Sequence, residues 1–120
     1  MNKGDIVLIK FPFTDFSGSK LRPALVLISS KDDISVAFVT TNLKEVGSSD
    51  LLLKATQRNG LKKDSLLKLN KIATLDLDLV MGKIGHLTET ELTEVDKKLI
   101  EVFKISIENR EELKKEEQIK

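Results

Sequence analysis

Arg22 is the residue best placed to do chemistry. It stands at the end of a polar connector running from Thr14 to Leu21, directly before Pro23 and the apolar run Ala24 to Ile28. A guanidinium stays charged at any physiological pH and can grip a phosphate through two parallel hydrogen bonds. Ser17, Ser19 and Lys20 precede it in the connector, Thr40 and Thr41 close a later apolar run, and Lys68-Leu69-Asn70-Lys71 carries further polar side chains. A threonine hydroxyl can donate to a phosphoryl oxygen or orient a reacting hydroxyl. Gathered in one place, such a set would stabilise the negative charge of a phosphoryl transition state without a metal. Spacing alone leaves a plainer alternative open, in which these are scattered polar groups on a surface.

Composition narrows the chemistry further. The chain has one histidine, His86, and no cysteine, so it can build no His-rich metal site, thiolate site or disulfide framework. A serine–histidine–carboxylate triad would depend on His86, and its neighbours Gly85 and Leu87 give no supporting signature. Asp32-Asp33 and Asp76-x-Asp78 fall short of the ligand count of a calcium loop. Neither of the glycine-rich phosphate-binding motifs occurs. No cofactor and no metal are expected.

At 120 residues, 40% apolar and 32% charged, the chain reads as one globular domain with a modest core. No apolar segment approaches the roughly 20 residues that span a bilayer. The opening Met-Asn-Lys-Gly-Asp runs straight into a strand, which leaves no room for a signal peptide. A cytoplasmic protein without membrane contact is expected. Charge is uneven: 12 Lys and Arg against 7 Asp and Glu through Lys71, then 8 against 12. A basic first half permits a polyanionic partner without requiring one.

The elements that must position Arg22 and Thr40 are short strands. Asp5 to Phe11, Pro23 to Ser29 and Ile34 to Thr41 are Val- and Ile-rich runs bounded by Pro, Gly and Ser, the pattern of strands rather than helices. The second and third are close enough for an antiparallel hairpin. Leu51 to Ala55 is a weaker strand, and Asn59-Gly60 is a turn signal. Ser65 to Leu69 reads as another strand that Ile72 to Leu75 extends or leaves, and a last short strand flanks Gly82 and Gly85. Many short strands without intervening helices indicate a small barrel or sandwich.

The pattern changes at Thr88, which stands at capping-box spacing from Glu91. Leu92, Val95, Leu99, Val102 and Phe103 then form one helical stripe. Beyond Ile107 the sequence ENREELKKEEQIK is highly charged. The expected organisation is a single domain, with a barrel over about 4–87, a helix over about 88–108 and a charged tail over 109–120.

Four segments in order, GDIVLIKFPFTDFSGSKLRPALVL, VAFVTT, GLKKDSLLKLNKIATLD and GKIGHLTETELTEVDKKL, resemble the MazF/PemK toxins. The resemblance runs to about Ile107. It implies a mainly β fold, a small SH3-like (CcdB/PemK-like) barrel with a C-terminal helix. It also implies a type II toxin–antitoxin toxin that cuts single-stranded RNA without metal, by attack of the ribose 2′-OH on the adjacent phosphate. A cognate antitoxin and a homodimer are implied partners. By this resemblance Arg22 stabilises the phosphorane or acts as the acid, and Thr40 holds the scissile phosphate. Ser17, Ser19, Lys20, Lys68, Asn70 and Lys71, the hydroxyl, amide and cationic side chains grouped with them by position, are the candidate RNA contacts.

Two positions depart from the family pattern. Asn70 stands where some members carry an acidic residue proposed as the general base, and an amide takes no proton at neutral pH. Ala73 stands where a basic residue is frequent, and Lys68 and Lys71 can replace its charge. Phe13 and Phe16 are candidate base-stacking rings, with core packing as the alternative. Two other functions therefore stay open on the same barrel: a CcdB-like gyrase poison, and a catalytically silent RNA-binding module.

Overall fold

The computed structural model describes residues 1–10 and 20–107. Six strands, β1 (Asp5–Lys10), β2 (Leu21–Ser29), β3 (Asp33–Thr40), β4 (Asp50–Leu53), β5 (Ser65–Asp76) and β6 (Val80–His86), precede one helix, α1 (Glu89–Val102). They form one antiparallel sheet in the order β4-β5-β3-β2-β1-β6. The mainly β architecture with a C-terminal helix is thus the expected one, and the β2–β3 hairpin is present. Ser65 to Leu69 and Ile72 to Leu75 join into the single long strand β5.

Both faces of the sheet are covered, which is why β1 and β2 read as continuous apolar runs instead of alternating ones. Ile6, Leu25, Ala37, Leu67 and Leu69 pack on one face, where Val95 of α1 is fully buried among them. Val7, Ala24, Val26, Ile34 and Val36 pack on the other, against Leu77, Leu79 and Val80. Burying an aliphatic side chain of this size contributes about 1.5–3 kcal/mol, so these two layers dominate the stability of the fold.

Register shifts interrupt β1–β6, β2–β3 and β3–β5. An extra residue in one strand bends it and increases its twist, and repeated shifts curl the sheet in an SH3-like manner. Among the described residues the ladder does not close, and β4 and β6 are its edges. The segment after β4 bridges the gap instead: the His86 amide donates to the Arg58 carbonyl at 3.0 Å. A Cβ on Gly60, whose φ is +72°, would lie 2.1 Å from the Ile84 carbonyl oxygen, and one on Gly85 would lie 2.3 Å from that of Arg58. Only glycine permits this approach of two backbones. Asn59, fully buried, holds the turn by accepting from the Thr56 and Leu61 amides and donating to the Lys54 carbonyl.

Helix α1 begins at the expected capping box: the Glu91 amide donates to Thr88 Oγ1 at 3.1 Å, and the Thr88 amide donates to Glu91 Oε1 at 3.0 Å. It ends without glycine. Lys104 takes the left-handed conformation at φ 54°, its amide donates to the Glu101 carbonyl, and that of Ile105 donates to the Ile100 carbonyl. These bonds satisfy the last-turn carbonyls and stop the helix at Val102. Phe103, expected on the apolar stripe, is consequently 57% exposed at the cap. The helix, expected to reach about 108, thus ends earlier, and the charged tail over 109–120 lies outside the described residues.

Candidate functional site

Strand register decides where Arg22 and Thr40 go. The last cross-strand pair between β2 and β3 is Ala24 with Phe38, and both side chains belong to the core layer on the face away from α1. Residues two apart on a strand share a face. Arg22 and Thr40, each two positions beyond that pair, therefore lie on this same side. Lys68 of β5 is opposite Phe38, and Asp50 of β4 is opposite Lys68. One row thus crosses four strands, from Ala24 to Asp50.

At this end of the face lies a groove of about 590 Å³ lined by Arg22, Thr40, Lys68 and Lys71 and by Phe38, Val39, Asn42, Lys44 and Glu45. Four of the residues singled out from sequence therefore meet in one hollow. Lys20 is exposed just before β2 and Asn70 is exposed on β5, and neither lines the groove. Ser17 and Ser19 lie outside the described residues, as do Phe13 and Phe16.

The irregularity in β5 separates Lys71 from Asn70. Ala37 pairs with Ile72 but its neighbour Phe38 pairs with Lys68, so Leu69, Asn70 and Lys71 have no partner on β3. Leu69 and Ile72 both pack on the α1 face, and the odd step between them breaks the two-residue alternation. The result carries Lys71 to the groove beside Lys68. Ala73, beyond the shift, packs against the opposite core layer.

Asn42, Lys44, Glu45 and Phe38 were not picked out from sequence. Phe38 had a usable signal, since it stands two residues before Thr40 and so shares its face. The other three sit in an irregular segment that local hydrogen bonds shape: the Asn42 amide donates to Thr40 Oγ1 at 3.2 Å, and the Lys44 amide donates to Asn42 Oδ1 at 3.1 Å. Such side-chain turns set loop direction. Thr40 accepts with its oxygen in this arrangement, which leaves its own hydroxyl proton available to an acceptor in the groove.

Electrostatics in the groove are weighted toward cations, with Arg22, Lys44, Lys68 and Lys71 against Glu45. Lys68 is engaged: its Nζ lies 2.8 Å from Asp50 Oδ2. Burial pushes the Asp50 carboxyl up, but the Lys68 and Gly47 hydrogen bonds and the charges of Lys68 and Lys71 outweigh it and hold the group below its ordinary value. Asp50 is therefore a carboxylate at neutral pH. Among the described residues, no three His, Asp or Glu side chains cluster as they would around a metal ion.

Comparisons with known proteins give the family and the fold. A family model described as PemK-like, MazF-like toxin of type II toxin-antitoxin system matches residues 2–103, and the chain belongs to that family. No curated protein matches it at a significant level. Among solved structures, the Mycobacterium tuberculosis toxin MazF-mt6 is similar at 18% identity and a TM-score of 0.69, over 85% of this chain and 98% of that one. An endoribonuclease in complex with its cognate antitoxin, from a mycobacterial species, is similar at 13% identity and a TM-score of 0.71, over 88% and 97%. MazF from Deinococcus radiodurans is similar at 20% identity and a TM-score of 0.67, over 88% and 97%. At these identities the likeness to the solved structures is one of fold. No helix among the described residues is long and apolar enough to cross a membrane.

Proposed function

We propose that this toxin-family chain is an endoribonuclease that cuts single-stranded RNA by attack of a ribose 2′-OH on the adjacent phosphate, which breaks the P–O5′ bond and releases the next nucleotide's 5′-oxygen as a hydroxyl once it takes up a proton. The observation that carries the reading is the convergence of Arg22, Thr40 and Lys71 on one groove. Arg22 grips the phosphate through its planar fork and offsets the charge of the phosphorane. Thr40 donates its hydroxyl proton to a phosphoryl oxygen, and Lys71 adds charge for the flanking backbone. Phe38 lines the groove as well, and aromatic side chains are what unstacked bases of single-stranded RNA stack on.

Proton removal from the 2′-OH falls to a group other than Asn70, and Glu45 is the carboxylate among the groove's lining residues. A cognate antitoxin is the expected inhibitor, as in the similar mycobacterial complex, and the toxin acts as a homodimer in the cytoplasm. The test is incubation of purified, antitoxin-free protein with a long mixed-sequence RNA in EDTA. Discrete fragments ending in 2′,3′-cyclic phosphates are expected. Intact RNA from folded protein would contradict the reading. Asn70 favours one alternative, a silent RNA-binding module, which retained affinity without cleavage at any sequence would select.

A further inference from the structure

The row that crosses the sheet ends in a buried ion pair on the edge of the groove. Asp50 has 1% of its side chain exposed and Lys68 has 21%, with 2.8 Å between Oδ2 and Nζ. The same Oδ2 accepts from the Gly47 amide at 2.7 Å, while the Asp50 amide donates back to the Gly47 carbonyl at 3.2 Å. One carboxylate thus fixes a cation on β5 and the end of the 41–49 segment. That segment carries Asn42, Lys44 and Glu45 into the groove.

The charge of Lys68 is spent on this partner. A paired ammonium offers little to an incoming anion, and Arg22 and Lys71 line the same hollow. We propose that Asp50 is a positioning residue of the groove. It keeps Lys68 in the wall, away from the RNA backbone, and pins the 41–49 segment. The phosphate that reaches Arg22 and Thr40 is thereby held in one register. The proposal rests on reading the groove as an RNA-cleaving site.

Asp50→Asn separates the charge from the shape, because the amide oxygen can still accept from Gly47. With its partner neutral, Lys68 is free to seek phosphates. Binding to an uncleavable 2′-O-methyl RNA is expected to tighten at low salt, and its log–log salt dependence to steepen by about 0.7, the increment for one more phosphate on a single strand. Cleavage of the matching unmodified RNA is expected to fall on the order of 10-fold or more, because the bound phosphate is misplaced. Adding Lys68→Met to the variant should return the salt slope to the wild-type value.

A role in folding alone would lower binding and cleavage together, and that outcome overturns the proposal, as does an unchanged slope with an unchanged rate. Should Asp50→Asn not fold, Lys68→Met with Asp50 intact decides. Its salt slope should match wild type, and a slope shallower by about 0.7 would mean that Lys68 contacts phosphate directly. Wild-type protein that binds the 2′-O-methyl RNA but cleaves nothing would overturn the nuclease reading and leave the salt slopes to judge Asp50. Wild-type protein that does not bind it would overturn both.

Discussion

Arg22 and Thr40 end neighbouring strands on the same face of the sheet, two residues beyond the pair Ala24–Phe38, and line one groove. Their proximity follows from antiparallel register and the two-residue alternation of strands. A slip of one residue in that hairpin would send one of them to the α1 side. The buried layers on both faces, Leu25 and Ala37 on one and Ala24 and Val36 on the other, penalise such a slip. The core therefore shapes the groove: packing fixes the register, and the register turns both residues toward the same hollow.

The contact of the 58–60 backbone with β6 depends on Gly85 and Gly60. A methyl at Gly85 would meet backbone atoms of Arg58 and Asn59 at 2.3–2.4 Å, whereas one at Gly82, on the same strand, would meet nothing within 4 Å. Gly85→Ala is expected to cost more than about 2 kcal/mol, and Gly82→Ala to stay within about 0.5 kcal/mol of wild type. Urea unfolding midpoints read the difference. Equal midpoints would show that the 56–60 turn does not latch the edge.

Lys104 holds a left-handed conformation that costs a side-chain-bearing residue on the order of 1 kcal/mol. Lys104→Gly removes the strain and keeps both capping bonds, which use only backbone atoms. The variant is expected to be more stable by about 1 kcal/mol, seen as a rise of about 2–8 °C in Tm. A fall in Tm would mean that the lysine side chain itself supports the cap.

Two buried carboxylates make the fold acid-sensitive. Asp5 accepts from the Asn2 amide at 2.9 Å and lies 3.2 Å from Lys83 Nζ. Burial pushes it up, but these partners and the N-terminal charge prevail, and it sits below its ordinary value of 3.8, as Asp50 does. A carboxyl that binds its proton more weakly folded than unfolded stabilises the fold fully above the unfolded value. That contribution is lost as pH falls through the lower folded value. Urea midpoints should therefore drop as pH is lowered below about 4, and Asp5→Asn should show a shallower drop over the same range. An identical drop would remove Asp5 from the account.

Much of this was legible in the sequence, for local reasons. β1, β2 and β3 announce themselves because strands buried on both faces must be continuously apolar, and α1 because Thr88 and Glu91 form its cap. Arg22 and Thr40 stood out through their positions at strand ends. What was not legible depends on contacts distant in sequence. The unpaired Leu69-Asn70-Lys71 step arises only when β5 lies along β3, and it decides that Lys71 enters the groove while Asn70 does not. The pairing of Lys68 with Asp50 spans 18 residues, and no local pattern marks it. Lys104 carries a backbone conformation that sequence assigns by default to glycine.

The most direct test is a double-mutant cycle on cleavage under single-turnover conditions, with Arg22→Ala, Thr40→Val and the pair. If both groups act on one phosphate, Arg22→Ala loses about 10²–10³ in rate. The pair then loses less than the product of the two single losses, because residues that act as a unit are not additive. Near wild-type cleavage by Arg22→Ala, or losses that simply multiply, would contradict a shared phosphate.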